Sequence, residues 1–297
     1  MSFPVPILLL MWRRPNTTKE VIDAIKRVKP SILYLACDGP RLDVEGEFEK
    51  VNSTKELAIQ SIDWECEVKT RFSKVNLGCR DGVSSAISWF FKHVSEGIIL
   101  EDDVVPYPEF FEYCQLCLNR YRKDNRIWGI SSSLRAKEQK IIKKYSDAPL
   151  YLRYNFSCCG WATWSDRWLD YSPTLDKKWM NVHSQNIENF CGKTSRVILK
   201  KALNASQKTP DSWTSQVTAL VTSQLQYIVH PRICLIRNIG FGPGAAHTTI
   251  IDPNFFMKED ERSRKEWLVS LKQFFSKSNN LPPFIREVSD LLYIKPS

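Results

Sequence analysis

Hydrophobic and polar positions in the first hundred residues alternate between the periodicities of strands and helices. Residues 5–11 form a nearly continuous apolar run, which predicts a strand buried on both faces. A helical stripe follows Pro15, and its apolar members are Val21, Ile22, Ile25 and Val28. Thr17, with Glu20 three residues later, predicts a capping box at the start of this helix. Strand and helix signals therefore follow one another along the chain.

The same alternation continues through the rest of the chain. Further strands are predicted at residues 32–36, 64–72, 98–100, 127–131, 227–229 and 233–236. Further helices are predicted at residues 45–59, 108–123, 187–203 and 211–223, after Asp81 as a cap, and after residue 259. The middle of the chain is rich in Trp and Ser and is predicted to consist mostly of loops.

Repeated strand-helix-strand order predicts an α/β fold with a mixed, mostly parallel sheet flanked by helices. Such sheets bind ligands at the carboxyl ends of their strands. The predicted strand 98–100 runs directly into the three carboxylates of Glu101–Asp103, and the strand 32–36 is closed by Asp38 in an Asp-Gly-Pro turn. These carboxylates are therefore expected at one edge of the sheet.

The composition is that of an ordinary folded domain. Of 297 residues, 43% are hydrophobic and 25% charged, which excludes a wholly disordered, collagen-like or coiled-coil chain. The longest apolar run, residues 3–12, has about 10 residues, against roughly 20 for a membrane-spanning helix, and Arg13 and Arg14 follow it rather than precede it. Nine scattered cysteines, an odd number, favour reduced thiols and a cytoplasmic location.

The net charge is +9, from 42 basic and 33 acidic residues. This sign suits an anionic partner such as nucleic acid, an anionic membrane surface or the diphosphate of a nucleotide sugar. The basic residues are spread thinly, and aromatic residues do not interleave with them as in nucleic-acid-binding proteins. We therefore expect no nucleic acid partner and at most a peripheral contact with a membrane, and the oligomeric state stays open.

Three consecutive carboxylates, Glu101, Asp102 and Asp103, form the strongest local signal for chemistry. Adjacent carboxylates repel one another and lose solvation when they gather after a buried strand, which favours a divalent cation. Mg²⁺ and Mn²⁺ bind through one or two carboxylates and bridge to substrate phosphates. The alternative is a solvated acidic turn, or a cluster at the start of the helix that follows Pro108.

The acidic triplet and its surroundings resemble a known family. Leu100-Glu101-Asp102-Asp103, followed by Pro108-Glu109-Phe110-Phe111-Glu112-Tyr113, resembles the metal motif and following helix of GT-A glycosyltransferases, in particular the β-1,2-N-acetylglucosaminyltransferase I family. Further motifs occur in the expected order, and they are Arg14-Pro15, Asp38-Gly39-Pro40, Asn76-Leu77-Gly78-Cys79-Arg80, Gly160-Trp161, Pro210-Asp211-Ser212-Trp213, Asn238-Ile239-Gly240-Phe241-Gly242 and His247. The similarity spans about residues 5–250, and it is closer still to bacterial sugar transferases with haemolysin-related names.

The resemblance implies a metal ion and a nucleotide-sugar donor, because the enzymes of that family are inverting, manganese-dependent and use UDP-sugars. Asp103 matches the direct metal ligand, while Glu101 and Asp102 match residues that face the donor ribose and sugar. The expected cofactor is therefore Mn²⁺ or Mg²⁺, with a UDP-sugar as co-substrate.

Three further residues match positions of the donor site. Arg14 and Asp38 match positions near the uracil and its phosphates, and a carboxylate is a suitable acceptor for a uracil ring N–H. The alternative for Asp38 is a plain Asp-Gly turn. Arg80 also matches the donor site, with a surface ion pair as its alternative.

Two residues in the second half carry the remaining chemistry that the resemblance implies. Asp211 matches the catalytic base, since inverting transfer needs one carboxylate opposite the leaving diphosphate to remove the acceptor hydroxyl proton. It also opens a predicted helix, so a capping role can coexist. Where the family has a second acidic residue, this chain has Ser212. His247 follows a glycine-rich loop that is expected to close over the donor, and it is a candidate metal ligand, although a lone His is more often structural.

Trp161 and Trp213 are candidates for an acceptor platform, because aromatic faces stack on the C–H surfaces of sugars. The alternative is that both rings belong to the core.

These expectations combine into a metal-dependent inverting glycosyltransferase that acts on a saccharide hydroxyl. The expected organisation is a GT-A domain at 1–255, with a donor half at 1–125 and an acceptor half at 126–255, followed by a helical tail at 256–297. The alternatives are a sugar nucleotidyltransferase and a catalytically silent carbohydrate-binding protein on the same fold. A nucleotidyltransferase is expected to carry a glycine-rich phosphate loop after its first strand, where this chain has Trp12-Arg13-Arg14-Pro15.

Overall fold

Strands and helices alternate in space as they do in the sequence. The computed structural model describes residues 2–132, 142, 147–174, 212–241, 260–277 and 281–282. The strands are β1 (Ile7–Met11), β2 (Ile32–Cys37), β3 (Glu67–Phe72), β4 (Glu96–Glu101), β5 (Val104–Pro106), β6 (Ile127–Ser131), β7 (Leu150–Arg153), β8 (Trp161–Trp164), β9 (Tyr227–Pro231) and β10 (Ile236–Asn238). The helices are α1 (Pro15–Lys26), α2 (Glu47–Gln60), α3 (Gly78–Phe91), α4 (Pro108–Tyr121), α5 (Ser165–Trp168), α6 (Thr214–Ser223) and α7 (Glu261–Lys277).

Among the described residues, eight strands form one sheet in the order β3-β2-β1-β4-β8-β6-β9-β7. The first four strands are mutually parallel, and β8 runs antiparallel between β4 and β6. β6 and β9 are parallel, and β7 closes the far edge antiparallel to β9. The predicted fold, a mixed and mostly parallel sheet flanked by helices in a single domain, is confirmed.

Two hydrophobic clusters cover the two faces of this sheet. Ile7 and Leu9 of β1 belong to one cluster, and Leu8 and Leu10 to the other, because successive side chains of a strand point to opposite faces. Residues of α1, α2, α4 and α7 complete the first cluster, and residues of α3 and α6 complete the second. Burial of β1 on both faces explains why its sequence is an unbroken apolar run.

The start of α1 differs from prediction. The capping box of Thr17 and Glu20 is wrong, because α1 begins at Pro15 and the hydroxyl groups of Thr17 and Thr18 donate to the Arg14 carbonyl oxygen instead. Proline suits the first position of a helix because it lacks the N–H that would otherwise be left without a partner there.

The strands β5, β7 and β8 are absent from the prediction. The segment Trp161–Trp164 is buried in the middle of the sheet, yet it is only four residues long and has no alternating pattern. Short apolar segments of this kind carry little periodicity, so only their pairing partners identify them as strands. The predicted helix at 187–203 lies outside the described residues.

The tail helix α7 packs on α4 at one face of the sheet. The ring of Trp267 meets Tyr113 edge-on at 5.5 Å, and its indole N–H donates to the Pro149 carbonyl oxygen. Arg264 Nε lies 3.1 Å from Glu109 Oε2, and both side chains are buried. Within the described part of the chain, no helix combines the length and apolar character needed to cross a bilayer.

Candidate active site at the carboxyl edge of the sheet

Arg14 and the acidic triplet meet at the carboxyl edge of the sheet. β1 and β4 are parallel neighbours with Leu10 opposite Glu101, so the residues that follow these strands leave at the same edge. Arg14 Nη2 lies 2.5 Å from Asp102 Oδ1 and 2.9 Å from Asp103 Oδ2. The topology thus confirms that the residues following these two strands share one edge.

Asp102 is a buried carboxylate held by two residues that follow β1. Its Oδ2 accepts the backbone N–H of Trp12 at 3.1 Å, while its Oδ1 pairs with Arg14. Burial raises the pKa of Asp102 to about 6, although Arg14 opposes the shift. Burial acts to lower the pKa of Arg14, but the two carboxylates outweigh it and raise this pKa, so the guanidinium stays charged.

Glu101 ends β4 next to the loop that precedes β8. Its carboxyl group is hydrogen-bonded by the thiol of Cys158, and burial, followed by the charge of Asp103, raises its pKa well above the ordinary value. Among the described residues, Glu101 Oε1 has no hydrogen-bond partner although this atom is buried. An unsatisfied buried oxygen is costly, so this atom is a candidate to receive a ligand.

A two-stranded ribbon brings the glycine-rich loop to Asp103. β5 follows the acidic triplet directly and pairs antiparallel with β10, with Val104 opposite Asn238. The backbone N–H of Ile239 donates to the Asp103 carbonyl oxygen at 2.8 Å, and the next residue is Gly240. The start of the loop therefore lies against Asp103. His247 is outside the described residues, and its role as a metal ligand stays a prediction.

Asp38 follows β2 and joins it to the start of α3. Its carboxylate accepts the backbone N–H groups of Leu77 and Gly78 at 3.0 to 3.1 Å and the side-chain amide of Asn76 at 3.1 Å. Burial raises the pKa of Asp38, and these backbone donors oppose the shift. The prediction that Asp81 caps this helix is therefore corrected, because a carboxylate from a neighbouring strand supplies the acceptor.

Arg80 lies in the first turn of α3, the helix that Asp38 caps. Its Nε donates to Asp81 Oδ1 at 2.8 Å in a partly exposed pair. This contact is the surface ion pair that the sequence offers as the alternative. A contact between Arg80 and the donor stays a prediction.

Residues 4–194 of the chain, well over half of its length, match the sequence profile of the GNT-I family. The chain belongs to the GNT-I family. This membership confirms the resemblance seen in the sequence and makes the protein a member of a glycosyltransferase family. The matched GNT-I region includes Arg14, Asp38 and the acidic triplet, and it ends before Asp211.

Several solved structures show distant similarity to this chain. UDP-glucose pyrophosphorylase complexed with UDP-glucose is 5% identical at a TM-score of 0.41, with 93% of this chain and 100% of that chain covered. The inositol-1-phosphate CTP transferase from T. maritima is 11% identical at a TM-score of 0.37, with coverages of 92% and 98%. The glycosyltransferase GlyE of Streptococcus pneumoniae TIGR4 is 9% identical at a TM-score of 0.33, with coverages of 95% and 65%. Similarity as weak as this does not assign a function to the chain.

In this GNT-I protein, the positions of Trp161 and Trp213 contradict the prediction that they form an acceptor platform. Their exposed fractions are 0% and 3%, so neither ring offers a face to a sugar. Trp161 stacks on Trp128 at 5.8 Å, and Phe156 packs edge-on against both Trp161 and Trp213. The two residues belong to the aromatic core beneath the edge, as the alternative had it.

One cluster beside the site has no signal in the sequence. Glu47, in the first turn of α2, accepts hydrogen bonds from Arg13 Nη1 and Arg41 Nη2, each at 2.7 Å, and its side chain is buried. Both guanidinium groups lie over the ring of Trp12, at 4.4 and 5.2 Å from its centroid. An acidic residue at the start of a helix is too common to stand out, so only the tertiary contacts identify this cluster.

The oxygen atoms at the edge fit a hard divalent cation bound through few protein ligands. Asp103 is partly exposed, and Glu101 offers a buried oxygen without a partner among the described residues. In the described part of the chain, no group of three or more His, Cys, Asp or Glu side chains is arranged to hold a metal ion by itself. Mg²⁺ and Mn²⁺ need no such group when a bound diphosphate and water supply the other ligands.

Proposed function

We propose that this protein is a metal-dependent inverting glycosyltransferase that moves a sugar from a UDP-linked donor to a saccharide hydroxyl. One observation carries the proposal: Arg14, Asp102 and Asp103 are in contact at the carboxyl edge of a mostly parallel sheet. Oxygen ligands for a cation and a guanidinium for phosphate stand together there, as a nucleoside diphosphate requires. Membership of the GNT-I family supports the same chemistry.

The donor diphosphate is proposed to bind between the acidic triplet and Arg14. Asp103 would hold Mn²⁺ or Mg²⁺, and such an ion neutralises the charge that develops on the leaving diphosphate. Asp38 holds the loop of residues 76–78 through its hydrogen bonds and so shapes the neighbouring wall of the site. Because both oxygens of Asp38 already accept hydrogen bonds, a contact with the uracil would share this carboxylate with the α3 amides.

Asp211 is proposed to remove the proton of the acceptor hydroxyl, so that the sugar is transferred in one displacement with inversion. The residues that follow it support this role. Trp213 packs on Trp161 at 5.8 Å, and Trp161 pairs with Ile99 in β4, two residues before Glu101. The chain just after Asp211 is thus anchored close to the acidic edge.

The division of labour between the two halves is part of the same proposal. Residues 1–125 would bind the donor, residues 126–255 would bind the acceptor, and residues 256–297 would form a tail. The cytoplasm is the proposed location, since the cysteines among the described residues are free thiols. Cell fractionation tests this location, and recovery only after detergent extraction would contradict it.

A panel of nucleotide sugars tests the function. The protein is incubated with UDP-, GDP- and TDP-linked sugars in Mn²⁺ or in EDTA, and released nucleotide is measured. We expect slow, Mn²⁺-dependent release of UDP even without an acceptor. Formation of pyrophosphate from UTP and a sugar 1-phosphate would favour a nucleotidyltransferase instead. Binding of saccharides without release of nucleotide from any donor would favour a carbohydrate-binding protein.

A further inference from the structure

The guanidinium of Arg14 contacts two carboxylates of the acidic triplet. Its Nη2 atom is 2.5 Å from Asp102 Oδ1 and 2.9 Å from Asp103 Oδ2. Under the proposed function, Asp103 also binds the divalent ion. A guanidinium and a divalent ion on the same carboxylate repel each other, and water at this partly buried edge screens them only in part.

The side chain of Arg14 is partly exposed, whereas its backbone is held in the first turn of α1. The Arg14 carbonyl oxygen accepts the backbone N–H of Thr18 at 3.0 Å and its hydroxyl at 2.8 Å, which ties the residue to the first turn of α1. The Arg14 side chain is 28% exposed, whereas that of Asp102 is 4% exposed. Asp102 also accepts the Trp12 N–H, whereas the Asp103 side chain is 15% exposed, so we expect the contact with Asp103 to exchange more readily.

We infer that Arg14 competes with the divalent ion for Asp103 in the donor-free protein and turns to the donor diphosphate when the donor binds, so that metal and nucleotide bind cooperatively. This inference rests on the proposed function. A diphosphate offers a guanidinium the paired oxygen acceptors that it would lose at Asp103. Because such coupling is reciprocal, UDP strengthens metal binding by the same factor as metal strengthens UDP binding.

The neighbouring residue provides a matched control. Arg13 carries the same charge one position earlier, but its guanidinium pairs with Glu47 and lies over Trp12, away from the acidic triplet. Arg13→Gln therefore measures the effect of losing one positive charge near the edge, and Arg14→Gln measures in addition the loss of the cation that competes for Asp103.

Titration calorimetry with Mn²⁺ alone, with UDP in EDTA, and with Mn²⁺ in saturating UDP tests the inference. The proteins are the parent, Arg14→Gln, Arg14→Lys and Arg13→Gln, each checked for folding by thermal unfolding. Arg14→Gln should bind Mn²⁺ alone about tenfold more tightly than the parent and should lose most of the coupling to UDP, within the usual range of coupling between sites. Arg14→Lys keeps the charge, so it and Arg13→Gln should bind Mn²⁺ alone as the parent does.

Three results would overturn the inference. Arg14→Gln that binds Mn²⁺ alone no more tightly than the parent would exclude competition. Equal coupling of Mn²⁺ and UDP in Arg14→Gln and the parent would exclude a role of Arg14 in cooperativity. Absence of Mn²⁺ binding in every protein, with or without UDP, would remove the metal site itself. The proposed transfer reaction is judged separately by nucleotide release in the parent, which persists if only the role of Arg14 is wrong.

Discussion

Gly240 leaves no room for a β-carbon beside the carboxylate of Asp103. A β-carbon at Gly240 would overlap Asp103 Oδ2, the same oxygen that pairs with Arg14. Pairing of β5 with β10 brings Gly240 to this position. The hydrogen bond from the Ile239 backbone N–H to the Asp103 carbonyl oxygen holds it there. Only glycine leaves the carboxylate in its present place.

Gly240→Ala should therefore weaken metal-dependent donor binding. The added methyl group must displace either the loop or the Asp103 side chain, so we expect UDP affinity in Mn²⁺ to fall about tenfold, in the range seen when groups that orient metal ligands are altered. Calorimetry with UDP measures the effect. The melting temperature serves as the control and should change little. Unaltered UDP affinity in Mn²⁺ would contradict a donor site at this position.

Asp103→Asn should separate metal-dependent from metal-independent binding of UDP. The substitution removes the negative charge but keeps the shape of the side chain, so UDP affinity in Mn²⁺ should fall at least about tenfold. Affinity in EDTA should not fall, because loss of the Asp103 charge removes one of the two ion pairs of Arg14. Equilibrium binding in the two buffers measures both values. Equal binding of UDP by variant and parent in Mn²⁺ would remove Asp103 from the site.

Asp211→Asn should spare binding and abolish turnover. A general base contributes about 10²–10⁴-fold, so we expect the transfer rate to fall at least about a hundredfold while UDP and Mn²⁺ affinities stay near the parent values. NMR of the product determines its anomeric configuration. A variant within a few fold of the parent rate, or a product that retains the configuration of the donor, would refute the single-displacement mechanism.

Protonation of Glu47 should make the protein less stable in acid. Hydrogen bonds from Arg41 are the main cause that lowers the pKa of Glu47 to about 2, from an ordinary value of 4.5. Its contribution to stability is therefore fully present above pH 4.5 and is lost as the pH falls towards 2. Glu47→Gln should cost about 1–3 kcal/mol at neutral pH and flatten the pH dependence of unfolding in this window. Parallel stability curves for the parent and the variant would contradict the assignment.

The pair of Arg264 and Glu109 should be essential for docking of α7. Glu109→Gln replaces the buried carboxylate that accepts a hydrogen bond from Arg264 Nε with a neutral amide, which should cost about 1–3 kcal/mol in the free energy of unfolding. Glu261→Gln is the matched control, because it breaks the exposed pair with Lys265 on the same helix and should cost less than about 0.5 kcal/mol. Urea unfolding measures both, and equal costs would show that burial of the pair has no influence.

Long apolar strands could be predicted from the sequence, and short ones could not. The sequence predicts β1 and β2 to within two residues at each end, because their burial on both faces leaves an unbroken apolar run. β8 was missed, because Trp161–Trp164 becomes a strand only through its partners β4 and β6. Local patterns also misassigned the start of α3, where the acceptor is Asp38 from a different strand.

The candidate site was predictable where residues follow parallel strands. The order of the elements predicts Asp38 and the acidic triplet at one edge, whereas Arg14 is assigned to the donor site only through the family resemblance. The structure brings Arg14 into contact with Asp102 and Asp103 at this edge. Exposure is not encoded in residue type, so the sequence leaves a sugar platform and a core position both open for Trp161 and Trp213, and the structure shows that both are buried. Asp211 and His247 lie outside the described residues, and their roles stay predictions.

The position of β8 between β4 and β6 has a consequence for synthesis of the chain. Until Trp164 has left the ribosome, the outer edge of β4 exposes backbone N–H and C=O groups that are later paired with β8. An open strand edge is a template for pairing with another chain. A fragment that stops at residue 125 would keep this edge open, so expressing the two halves separately should yield aggregates rather than two complementing proteins.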